Sequence, residues 1–241
     1  MKLSAQLSAP IYRLKRQAKQ LAREASIPLH AALDRIAQQE GYRSWSLLAA
    51  SHAQAGPATR LLPKLRPGEL MLLGARPGQG KTLLGLELAM EAMRQGAPSW
   101  IFSLEETEDS LAIRLRDLGL ETGRYDSLLS LDCSDRITAT HIVENLSTTP
   151  QRTLVVIDYL QLLDQRRETP SLEEQVRSLK RYAEQRGLIV VCLSQIDRSY
   201  DPTRKPCPDM GDVRLPNPLD LALFDKSCFL NDGKVRLSPS R

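Results

Sequence analysis

The sequence predicts an α/β fold with a mostly parallel central sheet, preceded by a small bundle of helices. Two observations predict the sheet. From Pro67 onward, short apolar runs alternate with segments of helical periodicity, which is typical of parallel sheets covered by helices on both faces. The first apolar run also leads directly into a glycine-rich loop that opens a helix. Three short amphipathic segments before residue 54 predict the bundle.

The composition indicates a soluble globular protein of one medium domain with a small appendage. The chain has 241 residues, of which 41% are hydrophobic and 26% are charged. No apolar stretch approaches the length of a membrane span, and the N-terminal residues lack the apolar core of a signal peptide. The four cysteines form no closely spaced pair. We therefore expect reduced thiols and a cytoplasmic location.

Breaks in the pattern predict three parts of the chain. Residues 1–54 form a small basic helical domain, residues 55–66 form a linker marked by Gly56, Pro57 and Pro63, and residues 67–241 form the α/β domain. The first part is predicted to contain helices over about 7–25 and 29–40, and a short third helix capped by Ser44.

The α/β domain shows four well-defined predicted strands, over about 69–74, 99–104, 153–157 and 188–193. Helices are predicted over 83–94, from a Thr107 cap to Gly119, and from a Ser171 capping box to Arg186. The stretch 121–150 is less clear, with a short strand near 127–131 and a helix over 134–146. Residues 202–218 form a long loop. A terminal hairpin is predicted from strands 222–230 and 234–237.

The glycine-rich loop predicts a nucleotide-binding site. Strand, loop and helix follow one another in the order typical of a phosphate-binding loop, with Ala75 in place of the usual first glycine. Gly78 and Gly80 allow backbone N–H groups to face phosphate oxygens, and the helix N-terminus adds partial positive charge. Lys81 is expected to bind the β- and γ-phosphates of ATP, and the Thr82 hydroxyl to bind Mg²⁺. The predicted nucleotide-binding residues are Ala75, Arg76, Pro77, Gly78, Gln79, Gly80, Lys81, Thr82 and Leu83.

Three further strands end in polar residues that complete the predicted site. Asp158 ends an apolar strand and is expected to hold Mg²⁺ through its water shell. Glu105 and Glu106 follow the 99–104 strand, and either carboxylate could accept a proton from the water that attacks the γ-phosphate. Gln195 follows the fourth strand, where its amide could hydrogen-bond the γ-phosphate.

Four segments together resemble the motor-domain motifs of DnaB-type replicative helicases, in order and in rough spacing. They are Ala-Arg-Pro-Gly-Gln-Gly-Lys-Thr (75–82), Phe-Ser-Leu-Glu (102–105), Val-Ile-Asp-Tyr-Leu-Gln-Leu (156–162) and Leu-Ser-Gln-Ile-Asp-Arg (193–198). The resemblance covers about residues 60–237. It implies a RecA-like P-loop NTPase core that hydrolyses ATP at subunit interfaces, in a hexameric ring around single-stranded DNA. It also implies that Glu105 is the catalytic base, Asp158 the Mg²⁺ partner and Gln195 the γ-phosphate sensor.

The sequence departs from that family in two places. Residues 1–52 do not resemble the N-terminal collar of these helicases, and residues 212–220 match the corresponding family motif poorly. Two other functions therefore stay open beside a DNA helicase or DNA-dependent ATPase. One is a regulatory or adaptor ATPase whose nucleotide state gates the binding of a protein partner. The other is a RecA-like protein that binds nucleotide and hydrolyses it poorly.

Charged residues suggest where partners could bind. Residues 1–52 contain eight Lys and Arg against three Asp and Glu, a net charge of +5, so the remainder sums to −1. This excess fits a nucleic acid, an acidic protein partner, or only a solvated helix face. The loops after the Asp158 and Gln195 strands are predicted to contact DNA phosphates, or to carry ordinary solvated charges. Their cations are Arg166, Arg167, Arg198, Arg204 and Lys205.

The last predicted strand carries Lys234 and Arg236, which project together because alternate residues of a strand face the same side. In the resembled helicases, a Lys-x-Arg pair on a late strand reaches into the ATP site of the neighbouring subunit, so the resemblance implies a catalytic role in trans for both residues. The alternative is an edge strand that charged side chains protect from aggregation.

Overall fold

The computed structural model describes residues 7–9, 11–53, 56–120, 123, 125–163 and 169–239. The chain divides into two units, Met1–Thr59 and Arg60–Arg241. Within the described residues, no helix combines the length and apolar character that crossing a membrane requires.

The N-terminal unit is a three-helix arrangement of α1 (Ile11–Glu24), α2 (Leu29–Gln39) and α3 (Trp45–Ala53). Leu14 and Ala18 of α1 pack on Ala32 and Ile36 of α2 to form its small core. Helix α1 starts four residues later than the periodicity of 7–25 suggests. Ser44 caps α3 as predicted, because its hydroxyl accepts the backbone N–H of Leu47 at 3.4 Å.

Part of the predicted linker 55–66 is helical instead. Residues 57–64 form α4 (Pro57–Leu61) and a 3₁₀ turn, Leu62–Lys64. Pro57 is the first residue of α4, where its missing N–H removes no helical hydrogen bond. The leucines at 61, 62 and 65 are buried. Pro57, which indicates a linker in the sequence, therefore starts a short helix whose leucines are buried.

The second unit is built on a seven-stranded sheet in the order β3-β2-β4-β5-β1-β6-β7. All neighbouring strands pair in parallel except β6 and β7, which form an antiparallel hairpin. The strands are β1 (Leu70–Ala75), β2 (Ser99–Ser103), β3 (Leu129–Asp132), β4 (Leu154–Asp158), β5 (Ile189–Gln195), β6 (Lys226–Asn231) and β7 (Lys234–Pro239). The mostly parallel α/β fold predicted from the sequence is confirmed.

Helices cover both faces of the sheet because its central strands are apolar on both sides. Helix α5 (Lys81–Arg94) packs on one face, where its Gly85 lies close to Val156 and Leu193. On the opposite face, alternate residues of the same strands join a core cluster with α7 (Ala139–Asn145) and α8 (Leu172–Arg186). The remaining helix is α6 (Glu108–Asp117). Strands β1 and β4 are buried along their whole length.

Side-chain caps fix several helix starts. Thr107 accepts the N–H of Ser110 and so caps α6, and Ser171 forms the predicted capping box with Glu174 at the start of α8. Helix α7 starts at Ala139, not near residue 134, because Thr138 is its cap. Strand β6 starts at Lys226, not at residue 222, since residues 221–223 form a 3₁₀ turn capped by Asp220.

The position of Gly74 in β1 gives a prediction about stability. A Cβ atom on this residue would lie 2.6 Å from Cε1 of the Phe229 ring on the neighbouring β6. We expect Gly74→Ala to lower the free energy of unfolding by about 1–3 kcal/mol through overpacking. In a unit of this size that corresponds to a fall in Tm of roughly 2–4 °C per kcal/mol, which thermal unfolding would measure.

The matched control for this prediction is Gly211→Ala, because the nearest atom to its added Cβ lies at 3.4 Å and its φ is not positive. The double variant Gly74→Ala/Phe229→Leu should lose less stability than the sum of its two single variants. Equal melting temperatures for Gly74→Ala and Gly211→Ala would contradict the assignment of a close contact.

Candidate functional site

The glycine-rich loop joins the end of β1 to the start of α5. Gly78 and Gly80 have positive φ angles of 78° and 92°, a region that disfavours other residues. An added Cβ would meet nothing within 4 Å at either position, so the backbone conformation, not crowding, requires glycine. Gln79 is held from outside the loop, since its side-chain oxygen accepts the N–H of Asp232 at 2.9 Å.

Lys81, the first residue of α5, is the centre of the site. Its ammonium group donates to Glu105 at 2.8 Å and to Asp158 at 3.1 Å, and it lies 5.0 Å from the centre of the Tyr159 ring. Burial by itself lowers the pKa of Lys81. The carboxylates of Asp158 and Glu105 outweigh that effect, so the net pKa lies above its ordinary value. Lys81 is therefore a buried and fully charged cation.

Thr82 and Asp158 form the predicted metal-binding pair. The Thr82 hydroxyl donates to Oδ2 of Asp158 at 2.7 Å, and only 2% of the Asp158 surface is exposed. A hydroxyl oxygen and a carboxylate oxygen side by side are hard donors of the kind that Mg²⁺ binds, together with water and phosphate oxygens. The residues present therefore fit a magnesium ion.

The two adjacent glutamates, of which the family resemblance implies that Glu105 is the catalytic base, have different surroundings. Glu105 faces Lys81. Glu106 is instead tied to α6, where it accepts from the Ser110 hydroxyl and pairs with Arg114 at 2.6 Å. The Ser103 hydroxyl accepts the backbone N–H groups of both residues and so fixes their directions. The structure therefore directs Glu105, and not Glu106, towards the phosphate-binding loop.

Gln195 at the end of β5 lies level with Ala75, the last residue of β1. Its side-chain oxygen accepts from the Arg214 guanidinium at 3.2 Å, and its backbone carbonyl accepts the N–H of Arg214 at 2.9 Å. Gln161 lies beside it, almost fully buried, and donates to the Ser194 hydroxyl and to the backbone carbonyl of Arg214, each at 2.7 Å. Gln195 thus belongs to a hydrogen-bonded group that links β4, β5 and the loop that follows β5.

An open cleft of about 310 Å³ adjoins this group. Its lining consists of Tyr159, Gln161, Leu162, Gln195, Arg214, Pro216 and Asn217. No individual role is predicted from the sequence for Tyr159, Gln161 or Arg214. The first two belong to the 156–162 segment that resembles a helicase motif, and that resemblance is the signal that could have pointed to them. Arg214 lies in the stretch whose family motif is matched poorly, so no pattern marks it.

The predicted DNA-contacting residues are only partly described. Arg166 and Arg167 lie outside the described residues. Arg198 and Arg204 are exposed on the loop after β5. Lys205 on the same loop is already paired within the loop, with Asp209 at 2.5 Å and Asp212 at 2.7 Å. Its charge is therefore largely offset, which a reading of the charges along the sequence could not show.

The hairpin that carries Lys234 and Arg236 contacts the phosphate-binding loop of the same chain through its turn. Both side chains are exposed, and the turn between β6 and β7 donates to Gln79 through Asp232. The hydrogen bond from Lys205 holds the pKa of the Asp209 carboxyl below its usual value. The positive charge of Arg236 adds to this effect. The predicted hairpin is confirmed, whereas the role of these two cations in a neighbouring subunit stays a prediction.

The fold and the arrangement around Lys81 together define a P-loop nucleotide-binding protein. A family model described as AAA domain matches residues 37–205. The chain therefore belongs to this AAA domain family. Residues 1–36, which include all of α1, lie outside the matched region.

Comparison with curated proteins relates the chain to replicative helicases. It is 29% identical to the replicative DNA helicase DnaB of Leifsonia xyli subsp. xyli over 181 residues, covering 62% of this chain and 40% of the relative. It is 30% identical to that of Synechocystis sp. over 205 residues, covering 72% of this chain and 22% of the relative. The chain thus spans well under half the length of these relatives. The resemblance to the DnaB-type motor domain is confirmed.

Solved structures support the RecA-like fold. One ATPase domain matches with a TM-score of 0.56 and 20% identity, over 71% of this chain and 74% of that one. A DnaB-like replicative helicase, solved in a study of its interactions with primase, also gives a TM-score of 0.56, at 16% identity over 95% of this chain and 74% of that one. A KaiC-like protein from the archaeon Pyrococcus horikoshii OT3 gives a TM-score of 0.52 at 16% identity, over 68% of this chain and 74% of that one. At these identities the likeness concerns the fold alone.

The Thr82–Asp158 pair gives a prediction about metal binding. We expect Thr82→Val to remove most of the increase in ATP affinity that Mg²⁺ produces, because valine has a similar shape but no hydroxyl oxygen. Titration of a fluorescent ATP analogue, with Mg²⁺ and with EDTA, would measure this effect. Thr82→Ser is the matched control, since it keeps the hydroxyl and should keep the Mg²⁺ dependence. A Thr82→Val protein with an undiminished Mg²⁺ dependence would rule out the assigned ligand.

Proposed function

We propose that the chain is an ATP-hydrolysing motor of the DnaB type that acts on single-stranded DNA. The observation that carries this proposal is the position of Lys81, held between Glu105 and Asp158 at the mouth of the phosphate-binding loop. One cation, one aligned carboxylate and one metal-binding pair are the groups that ATP hydrolysis requires.

Each residue of the site has a distinct role in the proposed reaction. The N–H groups of the loop and the Lys81 ammonium bind the β- and γ-phosphates, while Thr82 and Asp158 hold Mg²⁺. When bound, Mg²⁺ offsets the charge of the phosphate oxygens. Glu105 accepts the proton of the attacking water. Because Lys81 now donates to Glu105, binding of phosphate to Lys81 would also release Glu105 to act as a base.

Gln195 is the proposed γ-phosphate sensor. Its side-chain oxygen and its backbone carbonyl oxygen both accept hydrogen bonds from Arg214. The Gln195 NH2 group can donate to the γ-phosphate while the side-chain oxygen accepts from Arg214, so this hydrogen bond would reorient the contact with Arg214. This gives a direct physical link between the nucleotide and the loop that carries Arg198 and Arg204.

Single-stranded DNA is the proposed substrate because the relatives are replicative DNA helicases and because two exposed arginines stand on the loop after β5. Such cations bind phosphates without reading sequence. We further propose that the protein acts in the cytoplasm as a ring of six copies, in which Lys234 and Arg236 serve the ATP site of a neighbour. An arginine supplied in trans stabilises the charge of the transferring phosphoryl group.

The different surroundings of the two glutamates give a prediction about turnover. We expect Glu105→Gln to bind ATP but to lower its turnover by about 10²–10⁴-fold, since glutamine cannot accept a proton. Glu106→Gln should keep most of the turnover, because Glu106 contacts α6 and not Lys81. Lys81→Ala is the reference for a site without its phosphate-binding cation and should lose a few powers of ten. Steady-state ATPase assays and ATP-binding titrations would measure both quantities.

The opposite result for the two glutamates would show that Glu106 is the base. Near-normal turnover in a folded Lys81→Ala protein would overturn the assignment of the whole site. Circular dichroism of each variant would establish that it is folded.

The proposed action on DNA gives a second prediction. We expect single-stranded DNA to raise ATP turnover. We also expect the protein to unwind a forked duplex when ATP is present, whereas the Glu105→Gln variant should not unwind it. Arg198→Ser/Arg204→Ser should weaken DNA binding and lower the slope of log affinity against log salt by up to about 2. Lys205→Ser is the matched control, because its charge is already paired. An ATPase that is insensitive to DNA and separates no strands would contradict the motor function.

A further inference from the structure

Helix α1 presents a basic face that the proposed motor function does not use. This face, called the α1 basic face below, consists of Arg13, Arg16, Gln17, Gln20 and Arg23, all of which are exposed. The apolar residues Leu14 and Ala18 lie on the other side of the helix, in the core of the N-terminal unit. The helix is therefore amphipathic in a simple way, with arginines and amides outward and the apolar stripe already covered.

Two of the three acidic residues of the unit are hydrogen-bonded away from this face, and the third, Glu24, is bonded to Gln20 of the face itself. Oδ1 of Asp34 accepts the N–H of Trp45 at 2.8 Å at the start of α3. Glu40 accepts the N–H and the hydroxyl of Ser8. Glu24 accepts the Gln20 amide at 2.8 Å. No other Asp or Glu occurs between residues 7 and 53. Asp34 and Glu40 thus bind groups within the fold of the unit, whereas Glu24 offsets only part of the positive charge of α1.

The three arginines of the face have no ion-pair partner within the described part of the chain. The net charge of the N-terminal unit is therefore concentrated on an exposed helix surface instead of being balanced locally. A surface of this kind favours an anionic occupant over a neutral one.

Helix geometry indicates the form of that occupant. Arg13 and Arg23 are ten residues apart, so at 1.5 Å per residue the face extends over about 15 Å. Nucleic acids carry phosphates at a short, regular spacing over such a length. Arginine and glutamine side chains both donate hydrogen bonds to phosphate oxygens. A lipid surface fits less well, because the apolar stripe of α1 is buried in the unit and is not available for insertion.

We propose that the α1 basic face binds the phosphate backbone of a nucleic acid without reading its sequence. It would be a second contact, apart from the DNA loops proposed for the motor, because α1 precedes the residues that match the AAA domain family. Two contacts on one chain raise the effective concentration of nucleic acid at the second site once the first is bound. The inference does not depend on ATP hydrolysis or on unwinding.

The test compares DNA binding by the full chain with and without this face. In Arg13→Gln/Arg16→Gln/Arg23→Gln, the slope of log affinity against log salt should fall by about 2–3, roughly one unit for each lost phosphate contact. The probe is a fluorescein-labelled 30-nucleotide DNA, single-stranded or duplex and of two unrelated sequences, and the readout is anisotropy at several NaCl concentrations without nucleotide. All probe sequences should be affected alike, and ATP turnover without DNA should stay unchanged.

Two control variants separate contact from general charge. Arg94→Gln/Arg116→Gln/Arg181→Gln removes the same charge from exposed positions of the second unit and should change the slope far less. Arg13→Lys/Arg16→Lys/Arg23→Lys keeps the charge and should restore most of the slope. Circular dichroism and thermal unfolding would show that each variant keeps its fold.

Three results would overturn the inference. The first is an unchanged salt slope in the Arg→Gln variant of α1. The second is an equal decrease of the slope in the control variant of the second unit. The third uses polyglutamate as an additional probe, and is a loss of binding to polyglutamate without a loss of binding to DNA. The last result would identify an acidic protein as the occupant. Arg198, Arg204 and Lys81 are intact in these variants, so a negative result for the α1 basic face would not contradict the proposed motor function. Conversely, DNA binding by this face can be measured even if the protein is not a motor.

Discussion

The ion pairs of Lys81 with Glu105 and Asp158 are the contacts on which the arrangement of the site depends. They join the start of α5 to the ends of β2 and β4, and Asp158 is almost completely buried. Two carboxylates in one partly buried site would repel each other without a cation between them, and burial of an unpaired charge is costly. The same ammonium group therefore stabilises the fold of the loop and, in the proposed function, binds the phosphates of the nucleotide.

The parallel register of the sheet explains why residues so far apart in sequence meet at this cation. Strands β2, β4, β5 and β1 are consecutive neighbours in the sheet, and all four end at the same edge. Ser103 pairs with Asp158 across β2 and β4, and Ala75 pairs with Gln195 across β1 and β5. The polar ends of buried parallel strands thus bring the carboxylates and Gln195 to the same side of the sheet as the glycine loop and Lys81.

Most of this arrangement can be predicted from the sequence because it depends on local patterns. Apolar strand runs, the glycine loop and the Ser171 capping box each determine structure within a few residues. The strand pattern alone does not separate Glu105 from Glu106, and only the family resemblance favours Glu105. The physical reason lies outside the local pattern, because Arg114 and Ser110 of α6 bind Glu106. The pairing of Lys205 with Asp209 and Asp212 depends in the same way on how a long loop folds. The helical state of residues 57–64 depends on the burial of the leucines at 61, 62 and 65, and both prolines stand at first-turn positions that tolerate them.

The hairpin that closes the sheet has a consequence for protein engineering. Its turn meets the phosphate-binding loop through Asp232 and Gln79, but β7 then runs antiparallel to β6, so Pro239 pairs with Lys226, beside the beginning of β1. A fluorescent protein or affinity tag joined after residue 239 would therefore emerge near the start of β1, at the end of the strands away from the phosphate-binding loop. The same tag inserted in the turn at residues 231–234 would instead lie beside the phosphate-binding loop. The two attachment points, fewer than ten residues apart in sequence, therefore lie at opposite ends of the hairpin, one against the phosphate-binding loop and one away from it.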